Sequence, residues 1–315
     1  MRIALRSFLF VAALLALGVP PAFPQSAPLA PRETVTVVGQ KPIDGATMAT
    51  VVRQFVELHA ARSRKSGLIV RAAPSGICPA TMGLPQQYDD FVTARIVSVA
   101  KSVGSLAQEP GKCLANVEVL FTDDPQTLVT TLAEKTDGLI IGMHFTHERG
   151  SVIHVYRPIQ AWYVTGTKRD PNAAAHTLVN GESSGPGVTI DTAYGPSPFT
   201  GTGSRIRVKN SGQIVNALII ADLTKVSGKE IGPIADYVSM LALSQPASWD
   251  GCNALPSILD LMSSGCGGRE PPTALTDSDI AYLKALYAAD IATSGYTAQE
   301  NVAKGMDGNL GGQRP

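Results

Sequence analysis

Residues 231–243 read IGPIADYVSMLAL, and the reading of this stretch decides the fold. Ile234, Val238, Leu241 and Ala242 recur at helical spacing, which predicts a helix with a core-facing stripe. Upstream, the apolar runs 205–209 and 214–223 flank Asn210, Ser211 and Gly212, a turn signal that predicts a hairpin. Downstream, Thr276 opens a helical pattern running to Tyr287. Asp279 stands three residues after it, the spacing of a capping box in which each side chain satisfies the other residue's backbone N–H. Strands followed by segregated helices give an α+β class.

Working toward the N-terminus, residues 160–165 predict a further strand, and 139–145 with 152–156 predict a hairpin around residues 148–151. Asp124-Pro125 opens a helix running to Glu134, and 117–121 is a strand. A helix over 86–103 presents Phe91, Ala94, Ile96, Val99 and Val103; one over 46–61 presents Met48, Val51, Val52, Phe55 and Leu58. Strands are expected at 67–70 and, as a short arm, at 34–38. Between 166 and 203 glycine, proline and small polar residues dominate, so a long inserted loop is expected, serving as a lid, a binding loop or a disordered insert. The tail 298–315 is glycine-rich and polar and is expected to fray. The organisation expected is a mixed sheet with packed helices, in an α/β region at 26–135 and a second region at 136–297, able to share one core.

Residues 1–25 have the layout of a secretory signal: Arg2 and Arg6, an apolar run over 8–19, then Pro20 and Pro21. The run is shorter than the roughly 20 residues that cross a bilayer, and no later segment is long and apolar enough. The expected location is periplasmic or secreted. The chain carries 26 Lys and Arg against 26 Asp and Glu, dispersed rather than clustered, which argues against a nucleic-acid partner. Four cysteines in an oxidising compartment read as two disulfides, and the sequence-local pairing is Cys78 with Cys113 and Cys252 with Cys266. No CxxC-like pair points to zinc.

The order of the C-terminal segments carries a resemblance. The helix residues Ala235 to Gln245 are followed by Pro256-Ser257-Ile258-Leu259-Asp260-Leu261-Met262, then by Leu275-Thr276-Asp277-Ser278-Asp279-Ile280, and the last helix ends Leu286-Tyr287. This order resembles a metzincin of the matrixin type, in which an HExxHxxGxxH helix leads to a turn with Ser-Ile-Met and then to a capped C-terminal helix. The resemblance implies a zincin-like region, yet the residues that chemistry requires are missing. Zinc needs histidines at i and i+4 with a glutamate general base at i+1. The matching positions hold Ala235, Ser239 and Asp236, with Gln245 at the third ligand position. The resemblance therefore implies a degenerate cleft, no cofactor and no hydrolysis. An ordinary core helix is the alternative.

Other candidates are weaker. His144, His147 and His154 are the one histidine cluster, but residues three apart on a strand face opposite sides, which argues against a shared metal. His176 lies in the long loop without a G-x-S-x-G elbow nearby. Ser98-Val99-Ala100-Lys101 has the S-x-x-K spacing, but lies within a helix, and Lys135-Thr136-Asp137 only approximates K-T-G. Trp162, Tyr163 and Trp249 read as core or cleft-wall aromatics. The function expected is a non-catalytic exported binding or structural protein for a peptide or protein ligand. An exported hydrolase using one of these histidines as base is the alternative.

Overall fold

A computed structural model describes residues 45–63, 66–135, 141–142, 149–169, 188–190, 210–249, 252–263, 266 and 268–311. In chain order the elements are α1 (Gly45–His59), β1 (Val70–Ala72), β2 (Pro79–Met82), α2 (Gln86–Ser102), β3 (Val117–Thr122), α3 (Pro125–Lys135) and α4 (Arg149–Val152). They continue with β4 (Ile159–Arg169), β5 (Val188–Ile190), β6 (Asn210–Asp222), α5 (Leu223–Val226), α6 (Ile231–Leu243), a 3-10 turn (Ile258–Met262), α7 (Asp277–Ala288) and α8 (Gly295–Gly311).

β6 is the central strand, and its sequence shows why. Ala217 to Ala221 are all buried, the unbroken apolar run of a strand covered on both faces. Its C-terminal half lies between parallel β3 and antiparallel β4, and its N-terminal end also pairs with parallel β1. The sheet order is β2-β3-β6-β4-β5, with β5 antiparallel on β4. One face carries the main core, to which α1, α2, α6, α7 and α8 contribute. On the other, Val129 and Ala133 of α3 pack against Trp162, Leu218 and Ile220. β3 and β6 lie on either side of residue 135 in sequence, so the two expected regions share one sheet, within a single compact unit spanning 43–315.

Several expectations are corrected. Asn210, Ser211 and Gly212 are not a turn but the start of β6, where a Cβ on Gly212 would meet the carbonyl of Ile69, just before β1. A close backbone approach, rather than chain reversal, requires the glycine. Of the hairpin expected at 139–156, most of the first strand lies outside the described residues, and the second strand does not form: the helical turn α4 takes in Val152. Residues 153 and 155 make their backbone bonds to the Gln126 side chain, at 2.9 and 3.0 Å, instead of to a strand. Within 166–203, Gly166 to Arg169 continue β4 and Val188 to Ile190 form β5, so the segment is not uniformly loop. Phe91 is 44% exposed, because the buried face of α2 runs through Val92, Ile96, Val99 and Ala100 instead. The tail does not fray over 298–311: α8 buries Ala298, Val302, Ala303 and Met306. The strands expected at 34–38 and 205–209 lie outside the described residues.

Both disulfides form in the expected pairing, Cys78–Cys113 and Cys252–Cys266. Among the described residues no helix is long and apolar enough to cross a membrane.

Candidate functional site

α6 is buried all round: Pro233 through Leu243 are inaccessible, with α2 packed alongside and the 3-10 turn against it. Ala235 and Ser239, the positions matched to zinc ligands, face packed core rather than a cleft, and the Ser239 hydroxyl donates to the Ala235 carbonyl at 2.7 Å. Asp236 accepts Arg95 Nε at 2.5 Å, Arg95 Nη2 at 3.1 Å and the Leu275 N–H at 2.9 Å. That carboxylate joins α2, α6 and the approach to α7. The carboxylate raises the Arg95 pKa still further through its hydrogen bond. Three donors and burial hold this carboxylate in a structural ion pair.

A second constellation carries no motif in the sequence. His59, on the core face of α1, donates from Nδ1 to the Phe55 carbonyl at 2.7 Å, and its Nε2 lies 3.1 Å from Ser257 Oγ. The Ser257 hydroxyl donates to Asp279 Oδ1 at 2.7 Å. Asp279 Oδ2 accepts the N–H groups of Ile258 and Thr276 and the Thr276 hydroxyl. The expected capping box is thus present, and the same carboxylate also pins the Ser257 turn. Serine, histidine and aspartate are the residues of a hydrolytic triad, but their order is wrong: the hydroxyl stands between ring and carboxylate instead of at the end facing a substrate. His59, Ser257 and Asp279 are 3%, 2% and 0% exposed, so no substrate reaches them. Burial lowers the His59 pKa to about 4 and raises that of Asp279.

The open site is elsewhere. A pocket of about 760 Å³ lies among the end of α1, strand β4, the segment after α6 and the start of α8. Gln245, Pro246, Ala247 and Trp249 form one wall, with Trp162, Tyr163 and Thr165 from β4 on another. Arg62 closes an end, its guanidinium 4.0 Å over the Tyr296 ring, a cation–π contact. The walls are tied to one another and to the core by hydrogen bonds: Trp162 Nε1 to the Val152 carbonyl at 2.7 Å, Tyr163 Oη to that of Leu241 at 2.9 Å, and Gln299 Nε2 to that of Ala60 at 2.9 Å. Gln245 Oε1 is buried without a hydrogen-bond partner among the described residues. Of the four positions matched to the metzincin site, Gln245 alone reaches this pocket.

The remaining candidates separate. His154 is exposed and meets the Tyr156 ring edge-on at 4.5 Å; His144, His147 and His176 lie outside the described residues. Ser98 and Lys101 are both exposed on α2. The one trio of His, Cys, Asp or Glu close enough for a metal among the described residues is Cys252, Asp260 and Cys266. Its two sulfurs are joined to each other rather than being thiolates. No protein-family model, curated protein or solved structure matches this chain.

Proposed function

We propose that this chain is an exported, non-catalytic binding protein, a degenerate relative of the matrixin-type metzincins, that holds a peptide or protein segment in the pocket beside β4. The observation that carries the reading is the contrast between two places. Ala235, Asp236 and Ser239 are engaged in packing and hydrogen bonds inside the core, whereas Gln245 and the aromatic residues around it border an open cavity. Concave sites lined by aromatics with a few fixed polar groups are those that bind ligands. Trp249 and Tyr296 supply the accessible aromatic surface; Glu57, Arg62 and Gln299 supply polar ends. Two disulfides suit an oxidising compartment.

The test is binding of tryptic casein peptides to immobilised mature protein, with retained peptides identified by mass spectrometry. Retention by the wild type that falls at least tenfold in Trp249→Ala and Arg62→Ala, about 1.4 kcal/mol each, supports the reading. No retention, or retention indifferent to both substitutions, rejects it.

A further inference from the structure

The junction of His59, Ser257 and Asp279 has hydrogen-bond links whose protons can be counted. Nδ1 meets the Phe55 carbonyl, Nε2 meets Ser257 Oγ, and Oγ meets Asp279 Oδ1. A carbonyl can only accept, so Nδ1 carries a proton. The other two links need one proton each, and the serine hydroxyl supplies one. With a neutral imidazole and an ionised carboxylate, one link therefore sets a lone pair against a lone pair. The distances locate it: Oγ is 2.7 Å from Asp279 and 3.1 Å from Nε2, so the hydroxyl points to the carboxylate and the ring is left facing the back of the oxygen. One more proton, on Asp279 Oδ1, completes the chain. The carboxyl then donates to Ser257 Oγ, and the hydroxyl turns to donate to Nε2.

We propose that this junction is a proton-operated clamp: on mild acidification Asp279 takes up a proton, and the completed chain ties the last turn of α1 to the Ser257 turn and the start of α7.

The surroundings fit a proton bound on the carboxyl rather than on the ring. His59 stacks on Phe55 at 3.9 Å between ring centres, and its carbonyl accepts the Tyr282 hydroxyl at 2.7 Å. The other charged group facing both ends is Asp260, which opposes ionisation of Asp279 and favours that of His59; Arg269 in turn faces Asp260. Burial outweighs the effect of Asp260 on the ring and that of the hydrogen bonds on the Asp279 carboxyl, holding the ring neutral and moving the carboxyl above the usual range. Oδ2 already accepts two backbone N–H groups and shares the Thr276 hydroxyl proton with the Pro256 carbonyl, whereas Oδ1 meets only the Ser257 hydroxyl, so Oδ1 is the oxygen that takes the proton. Directly after His59, Ala60 to Ser63 form part of the pocket wall, so the clamp fixes one side of that cavity.

The test uses the mature chain and Asp279→Asn, whose amide can keep its oxygen on the Oδ2 side and offer an N–H where the third proton would sit. The expected result is a higher Tm than wild type at about pH 7, with the advantage shrinking as pH falls and the wild type takes up its own proton. Carbon NMR of the wild type, which does not depend on the variant folding, should show the Asp279 carboxyl titrating above about pH 4 while His59 stays neutral with its proton on Nδ1. An Asp279 midpoint at or below about pH 4 overturns the proposal, as does an Asp279→Asn variant less stable than wild type at about pH 7.

Discussion

Arg95 on α2 and Asp236 on α6 form a two-pronged ion pair, with the carboxylate side chain 3% exposed and the guanidinium 40% exposed. The asymmetry predicts unequal costs. Arg95→Ala leaves a buried carboxylate uncompensated and should cost about 3 kcal/mol, whereas Asp236→Asn keeps an acceptor for the Leu275 N–H and should cost about 1–2 kcal/mol. Urea unfolding measures both. Equal, negligible losses would show that the pair does not hold α2 to α6.

Arg71 predicts a second stability loss. Its Nη1 donates to the carbonyls of Leu286, Tyr287 and Ala289 at 2.8, 2.9 and 3.2 Å, closing the C-terminal end of α7, where carbonyls lack intrahelical partners. Arg71→Ala should cost about 2–3 kcal/mol through carbonyls left unpaired in a partly buried site. Arg71→Lys should recover only part of this, since an ammonium lacks the planar fork. Thermal unfolding followed by circular dichroism reads the order wild type, then lysine, then alanine.

His59 sets a pH dependence. Its native pKa, near 4, lies below the unfolded value of 6.5, so below pH 6.5 the unfolded chain binds a proton that the native chain refuses. Stability from this group is complete above pH 6.5 and is lost as pH falls through about 4, a total of about 3 kcal/mol. Asp279 acts in the opposite sense: its raised pKa means the native state binds a proton first, which offsets part of the loss. His59→Gln should remove the histidine contribution, so its stability should fall less than that of the wild type between about pH 7 and about pH 4. Parallel profiles would count against a buried neutral ring.

The disulfides close spans of 35 and 14 residues. In the chain-entropy account each contributes about 3–4 kcal/mol, so reductant should lower the Tm of the mature chain markedly, and Cys78→Ser with Cys113→Ser should reproduce part of that shift. An unchanged Tm on full reduction would remove the structural role assigned to both.

The parts legible in the sequence were those with local signals. α6 begins and ends where its pattern does, and the Thr276 cap forms as its spacing predicts. What stayed hidden depends on distant partners. α8 contains Gly305, Gly308 and Gly311 and reads as a tail, but packing of Val302 and Met306 overrides its weak helix propensity. β6 begins with what looks like a turn, because the need for a small residue comes from the backbone of Ile69, far away in sequence. His59 carries no such local signal, because a histidine at the end of an amphipathic helix looks like a surface residue, and Ser257 and Tyr282, which hold it, lie 198 and 223 residues further on in the chain. The pocket was illegible for the same reason: it collects short segments from four separate elements, none of which carries a motif.

The most direct measurement of the central claim is mass spectrometry of tryptic casein peptides after prolonged incubation with the purified mature chain, analysing bound and free fractions. The account predicts peptides retained at their original masses, with retention lost in Trp249→Ala. New cleavage products that vanish when the chain is omitted would contradict it.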